Sequence, residues 1–286
     1  MNEQKTAILV DSCCDVPKKY VERYGMYVIP LKVIYKDKEY LDGVDITAQD
    51  VYQNLNKEIP KTSLPDGEMI TGIFEKIKAD GYEKVLAITL SSGLSGTNNM
   101  VNLLAKECEG LEFFVFDTKN IAMGGGFHAI QAARYLEEGL SFEAVQTKLE
   151  QGLYNCKIFF VVSTLEYLQK GGRIGLVASL FGNALNLKPI ISCNEDGIYY
   201  TVNKVRGRKQ SLTKAMELAV KYAQGHKRYN LAVLNGDAAE TAEEIKQELL
   251  PLLPNVDQFV EGQVSPALGV HTGPGAIGIC VQILED

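Results

Sequence analysis

Three short stretches of the 286-residue chain carry hydroxyls and glycines, one of them with a histidine, and the first, at 91–97, holds no acid or base at all. In SSGLSGT (91–97) a β-branched run ends at Leu90 and a helical pattern begins near Ser95. Ser92 and Ser95 therefore stand with free backbone N–H groups at a helix N-terminus, a place that favours an anion. The structural alternative is capping, in which Ser95 or Thr97 satisfies only its own helix. In KTSLPDGEM (61–69), Pro65 biases Leu64 to an extended conformation and lifts the hydroxyls of Thr62 and Ser63 off the following helix. They are then free to face a ligand, or belong to an ordinary polar loop. In SPALGVHTGPGAIG (265–278), His271 lies in a turn rich in glycine and proline, where backbone can approach another group closely. His128, beside Ala129 and Ile130 on a helix, and His226, in a polar turn, have no such surroundings, so His271 is the histidine expected to act.

Two enzyme readings of these residues are incomplete. Ser95 as nucleophile with His271 as base would make a serine acyl hydrolase, but GLSGT has Thr97 where G-x-S-x-G needs its second glycine. A nucleotide site would need G-x-x-x-x-G-K-[ST] or a dinucleotide fingerprint, and the glycines of MGGGF (123–127) fit neither. What remains is a set of neutral donors suited to an anionic group, with the hydrolase kept as rival.

The totals narrow the partners. A net charge of −7 argues against a nucleic-acid backbone, and 46% hydrophobic with 23% charged residues is the balance of a globular chain. The start, MNEQKTAILVDSCCD, has charges on both sides of a four-residue apolar run and no small-residue cleavage site, which predicts a cytoplasmic location. VSPALGVHTGPGAIGICVQIL (264–284) carries no Asp, Glu, Lys or Arg, yet Pro266, Pro274 and its glycines break it, so a buried turn and strand are expected rather than a membrane span. Cysteines 13, 14, 108, 156, 193 and 280 form no CxxC pair, which predicts neither a zinc site nor a disulfide framework. Two basic segments stand out on this acidic chain: QKGGRIG (169–175), with Arg173, and KVRGRKQ (204–210), with Lys204, Arg206, Arg208 and Lys209. Each is either solvated surface charge or a patch that docks a partner.

The elements that must position these groups follow from the apolar pattern. AILVDS (7–12), KVLAITL (84–90) and EFFVFD (112–117) are short apolar runs, each followed by a helical pattern, the rhythm of a parallel sheet. Helices are expected over 47–58, 66–81 with Asp66 as N-cap, 97–110, 124–139 and 141–153. MYVIPLKVIYKDKEYLDG (26–43) reads as a hairpin around Lys36-Asp37-Lys38. After residue 153 the pattern changes: a hairpin over 190–207 turning at Asn194 to Gly197, helices near 209–224 and 239–252, and strands at 229–235, 256–262 and 276–284. The prediction is an α/β chain with a Rossmann-like parallel-sheet domain over 1–156 and an α+β domain with a largely antiparallel sheet over 157–286.

Taken together, VDSCCDVP (10–17), DGVDIT (42–47), KTSLPDGEM, SSGLSGTNNM (91–100), STLEYLQKGGRIG (163–175), KVRGRKQSL (204–212) and GVHTGPGAIG (269–278) resemble the DegV family, the fatty-acid-binding proteins that serve bacterial fatty-acid kinases. The resemblance covers about 5–284. The sequence departs from it at Cys13-Cys14, where small residues such as Thr-Ala are usual, and at Asp66, where Ser is common. It implies a bound long-chain fatty acid such as palmitate and no further cofactor. The acyl chain would lie in the first domain, with its carboxylate near the domain junction on Thr62 and Ser95, and with Ser92, Ser63 and His271 completing the polar end. It further implies a carrier that catalyses nothing itself and presents the acid to a separate kinase subunit, docked through Arg206 with Arg208, Lys204 and Arg173. Contact with a membrane surface would be transient, with no transmembrane segment.

Overall fold

A computed structural model describes residues 2–180 and 187–284, so Met1, 181–186 and 285–286 of the expected domains lie outside the described residues. In chain order the strands are β1 (Thr6–Asp11), β2 (Tyr27–Ile29), β3 (Lys32–Ile34), β4 (Glu39–Leu41), β5 (Lys61–Ser63), β6 (Lys84–Thr89), β7 (Glu112–Asp117), β8 (Cys156–Val161), β9 (Leu187–Cys193), β10 (Tyr199–Arg206), β11 (Tyr229–Gly236), β12 (Val256–Gln263) and β13 (Ala276–Ile283). The helices are α1 (Lys18–Tyr24), α2 (Ala48–Asn54), α3 (Gly67–Ala79), α4 (Thr97–Glu107), α5 (Met123–Glu137), α6 (Phe142–Gln151), α7 (Glu166–Lys170), α8 (Arg208–Ala223), α9 (Ala239–Leu249) and α10 (Pro266–Thr272).

The first sheet is parallel, in the order β2-β1-β6-β7. Every residue of β1 is buried, as a parallel strand covered on both faces requires. Ile8, Val10, Leu86 and Ile88 pack with Ala129, Ala132 and Leu136 of α5 and Phe142 of α6. Ala7, Leu9, Val85 and Ala87 pack with Ile70 and Phe74 of α3 and Val101 of α4. The second sheet, β10-β9-β8-β13-β11-β12, is antiparallel except where β11 meets β12. One face of it is covered by Ala215 and Ala219 of α8 and Ile245 and Leu249 of α9. The other, through Ile158, Phe160, Ala232 and Leu234, packs with Met123, Phe127 and Ile130 of α5. Helix α5 thus lies between the two sheets; its first eight residues are all buried and, His128 apart, apolar or small, while Gln131, Arg134 and Glu137 reach a partly exposed side further along.

Several expectations change. Residues 26–43 are not one hairpin: Tyr27–Ile29 joins the first sheet beside β1, and only β3 and β4 pair around the turn at 36–38. Pro30 separates the two runs, having no N–H for a ladder. Residues 61–63 form a strand, β5, antiparallel to β3. Residues 266–272 form helix α10 where a turn was expected, since Pro266 is preorganised for the first helical position and Gly273, at φ +67°, ends it. Asp66 precedes α3 without capping it; its carboxylate pairs with Lys32 at 2.5 Å instead. The helix expected over 47–58 stops at Asn54. The helical pattern expected after 7–12 is α1, and two elements, β8 and α7, were not expected from the sequence. Among the described residues no helix is long and apolar enough to cross a membrane.

The glycines that open α5 have a packing reason. A Cβ on Gly126 would fall 2.4 Å from the carbonyl oxygen of Cys14, and one on Gly125 would fall 2.9 Å from the Cys14 thiol. Gly126→Ala is expected to lower stability by about 1–3 kcal/mol, because backbone rather than a flexible side chain must move. A urea unfolding midpoint unchanged from the parent would overturn that.

Candidate functional site

A cavity of about 140 Å³ opens where the loop after β6, strand β5, helix α10 and the segment after α7 meet. Thr62, Ser63, Ser95, Arg173 and His271 give it a polar side; Leu31, Leu90, Leu94, Ile121, Tyr199 and Leu268 supply much of the rest. The loop at 91–96 is pinned from both sheets. Ser92 N–H donates to Asp117 Oδ1 at 3.1 Å, Ser91 Oγ donates to the Gly197 carbonyl at 2.9 Å, and Arg173 Nε donates to the Leu94 carbonyl at 3.3 Å. Gly93 lets this loop meet the β9–β10 turn, since a Cβ there would lie 2.8 Å from the Asp196 carbonyl oxygen.

Ser95 serves its helix and still faces the cavity. Its Oγ accepts from Thr97 N–H at 3.3 Å and lies 2.9 Å from Thr97 Oγ1. With Thr97 donating, the Ser95 hydroxyl proton is left to donate into the cavity. Capping and ligand contact are compatible roles for one hydroxyl.

His271 sits in the last turn of α10, 8% exposed, with Nε2 at 2.7 Å from Thr62 Oγ1. Burial, with Arg173 beside it, pushes the imidazole down to about 4, so it is neutral at ordinary pH. Its Nδ1 is buried without a hydrogen-bond partner, and Gly171 packs against that ring edge so closely that a Cβ there would lie 2.0 Å from Nδ1. An orphaned acceptor is cheaper to bury than an orphaned N–H, which assigns the proton to Nε2. His271 then donates to Thr62, and Thr62 in turn donates its own proton into the cavity. A neutral imidazole thereby makes the threonine a one-way donor.

The structure brings Thr62, Ser63, Ser95 and His271 to one cavity. Ser92 is not there: its Oγ accepts from Lys119 Nζ at 3.2 Å, outside the cavity lining. Arg173, grouped by sequence with the docking residues, lines the cavity instead, so the polar end is not free of charge. Its guanidinium donates to the Leu94 and Gly171 carbonyls, and no carboxylate among the described residues pairs with it. The signal that could have found it is Gly171-Gly172 immediately before it, glycines that permit close packing. Arg208 is half-buried and turned inward to the Gly275 carbonyl, whereas Lys204, Arg206 and Lys209 are exposed. Ser95 and His271 do not pair with each other; their partners are Thr97 and Thr62. Among the described residues no group of three or more His, Cys, Asp or Glu could hold a metal ion.

The sequence model described as "Uncharacterised protein, DegV family" matches residues 5–283. The chain belongs to the DegV family. A DegV domain-containing protein of Clostridium perfringens is 41% identical over 98% of this chain and 99% of its own length. Among solved structures, a DegV family protein from Thermus thermophilus, described by its fatty acid binding, superposes with a TM-score of 0.92 at 30% identity, over 99% of this chain and 100% of that one. A stearic-acid-binding protein from Eubacterium ventriosum gives 0.88, also at 30% identity, over 97% and 98%. The DegV match thus spans both sheets and every wall of the cavity.

His271 titrates near 6.5 when the chain is unfolded and near 4 when folded, so its contribution to stability is full above 6.5 and lost as pH falls from there towards 4. Imidazole nitrogen NMR on the folded protein is expected to show an Nε2–H tautomer with no midpoint between about 5.5 and about 7. A midpoint near 6.5, or a proton on Nδ1, would sink the assignment.

Proposed function

We propose that this protein binds a long-chain fatty acid such as palmitate and presents it to a separate kinase, which converts the carboxylate to an acyl phosphate. The observation that carries the reading is the convergence of Thr62, Ser95, His271 and Arg173 on one side of a cavity whose other walls are largely apolar. It occurs in a family with solved members described as fatty-acid-binding. The energetics agree: burying about fourteen methylenes contributes on the order of 11 kcal/mol gross. A carboxylate taken out of water costs several kcal/mol unless donors surround it; here the Thr62 and Ser95 hydroxyls stand ready, whereas the N–H groups of Ser92, Gly93, Leu94, Ser95 and Thr97 are already bonded within the loop and to Asp117. Arg173 lowers that cost further. Because it also donates to two backbone carbonyls, it supplies positive charge without a bidentate clamp that would oppose phosphoryl transfer.

The kinase role rests on the resemblance, on the absence of a nucleotide motif in the sequence, and on the exposed Lys204, Arg206 and Lys209, a basic turn suited to an acidic or phosphate-bearing partner. Against the acyl hydrolase stands the pairing of His271 with Thr62, which leaves Ser95 without a base.

Thr62→Ala removes one hydrogen bond to a charged group and is expected to weaken palmitate binding about tenfold or more in a displacement titration. Native mass spectrometry of the purified protein should show a fatty acid that the variant retains poorly. Unaltered affinity, or turnover of a chromogenic acyl ester that disappears in Ser95→Ala, would refute the carrier. For the partner surface, Arg206→Ala should leave palmitate affinity intact and slow kinase-dependent acyl phosphate formation; equal rates for parent and variant would remove Arg206 from that role.

A further inference from the structure

Two buried carboxylates stand behind the cavity, and each holds one half of the polar end. Asp11, at the end of β1, accepts from Leu90 N–H at 2.6 Å, at the start of the loop that carries Ser95. Asp42, in the turn after β4, accepts from Ala267 N–H at 2.9 Å, one helical turn before His271 on α10. Ser12 ties the two together: next to Asp11 in sequence, it donates from Oγ to Asp42 Oδ2 at 2.5 Å and accepts from Leu31 N–H at 3.0 Å. Asp15 adds a second hold on α10, accepting from Ser265 N–H at 3.1 Å. Asp11 and Asp42 are 1% and 2% exposed, and no cation pairs with either among the described residues. Burial pushes the Asp11 carboxyl up to about 7 and that of Asp42 to about 6. Ionised, they therefore weaken the fold as pH rises through those values, so stability is a poor reason for their presence.

We propose that Asp42, acting with Asp11, is a positioning residue for the head-group cradle: it sets the distance between the Ser95 loop and His271, and with it the preference for a carboxylate over an uncharged head. The inference rests on the fatty-acid reading above. It assigns no ligand to the acids themselves. Losing the hold on Ala267 lets α10 shift, which separates Nε2 from Thr62 and frees the threonine proton from its one direction, while the apolar walls persist.

The test compares affinities for palmitic acid and for the matched fatty alcohol, with folding checked by circular dichroism. The parent should prefer the acid. Asp42→Ala should weaken acid binding about tenfold, the effect of one charged hydrogen bond, and change alcohol binding less than about twofold. Asp42→Asn keeps an oxygen for Ala267 and should recover most of the preference. Acid and alcohol affinities falling together, or an unchanged ratio, would overturn the inference while leaving the carrier reading standing. A parent that binds neither ligand would overturn both. If Asp42→Ala does not fold, Ser12→Ala takes its place: a reduced acid-to-alcohol ratio supports the role and an unchanged one overturns it.

Discussion

Everything in this molecule is arranged around a helix whose first eight residues, 123–130, are all buried between two sheets. Helix α5 packs one side against the parallel sheet through Ala129, Ala132 and Leu136, and the other against the mixed sheet through Met123, Phe127 and Ile130. A helix buried between two sheets must be narrow where backbone crosses it, and Gly125 and Gly126 at its start let the 12–14 turn lie on it, while Gly124 makes room for the Asn120 side chain. That contact brings the ends of β1 and β6 up against the second sheet, and the gap left beyond the helix becomes the cavity. The site is a consequence of packing before it is a consequence of chemistry.

The chemistry then depends on low polarity. A histidine at a surface would be partly protonated near neutrality; enclosed here, it is a fixed neutral donor. The same enclosure makes the Thr62 and Ser95 hydroxyls stronger electrostatically than they would be in water, and magnifies the effect of Arg173. A cavity built this way favours an anion with an apolar tail over either part alone.

Much of this was legible in the sequence, and the parts that were not share a cause. The βα rhythm of 7–12, 84–90 and 112–117 declared the parallel sheet because β1 and β6 are buried on both faces and read as unbroken apolar runs, and the half-buried edge strand β7 keeps the same apolar run. The hydroxyl stretches at 62–63 and 91–97 marked the polar end because they hold more donors than capping their own helices requires. What failed was anything decided by distant partners. Pro266 and Gly273 looked like turn residues and are the two ends of a helix, since α10 is held by acids more than two hundred positions away. Arg173 looked like surface charge because only the folded chain shows its donors directed at Leu94 and Gly171. Ser92 has the right residue type and the right loop, but Asp117 and Lys119 on the neighbouring strand and turn claim it.

Strand β10 joins two places that the sequence keeps apart. Its first residue, Tyr199, lines the cavity, and its last, Arg206, stands in the exposed basic turn. A hydrogen-bonded strand barely stretches along its axis, and eight residues of it span roughly 25 Å. The strand therefore acts as a ruler: whatever settles on the basic turn is indexed to the cavity by a fixed length of backbone, with no hinge needed to bring the two into register.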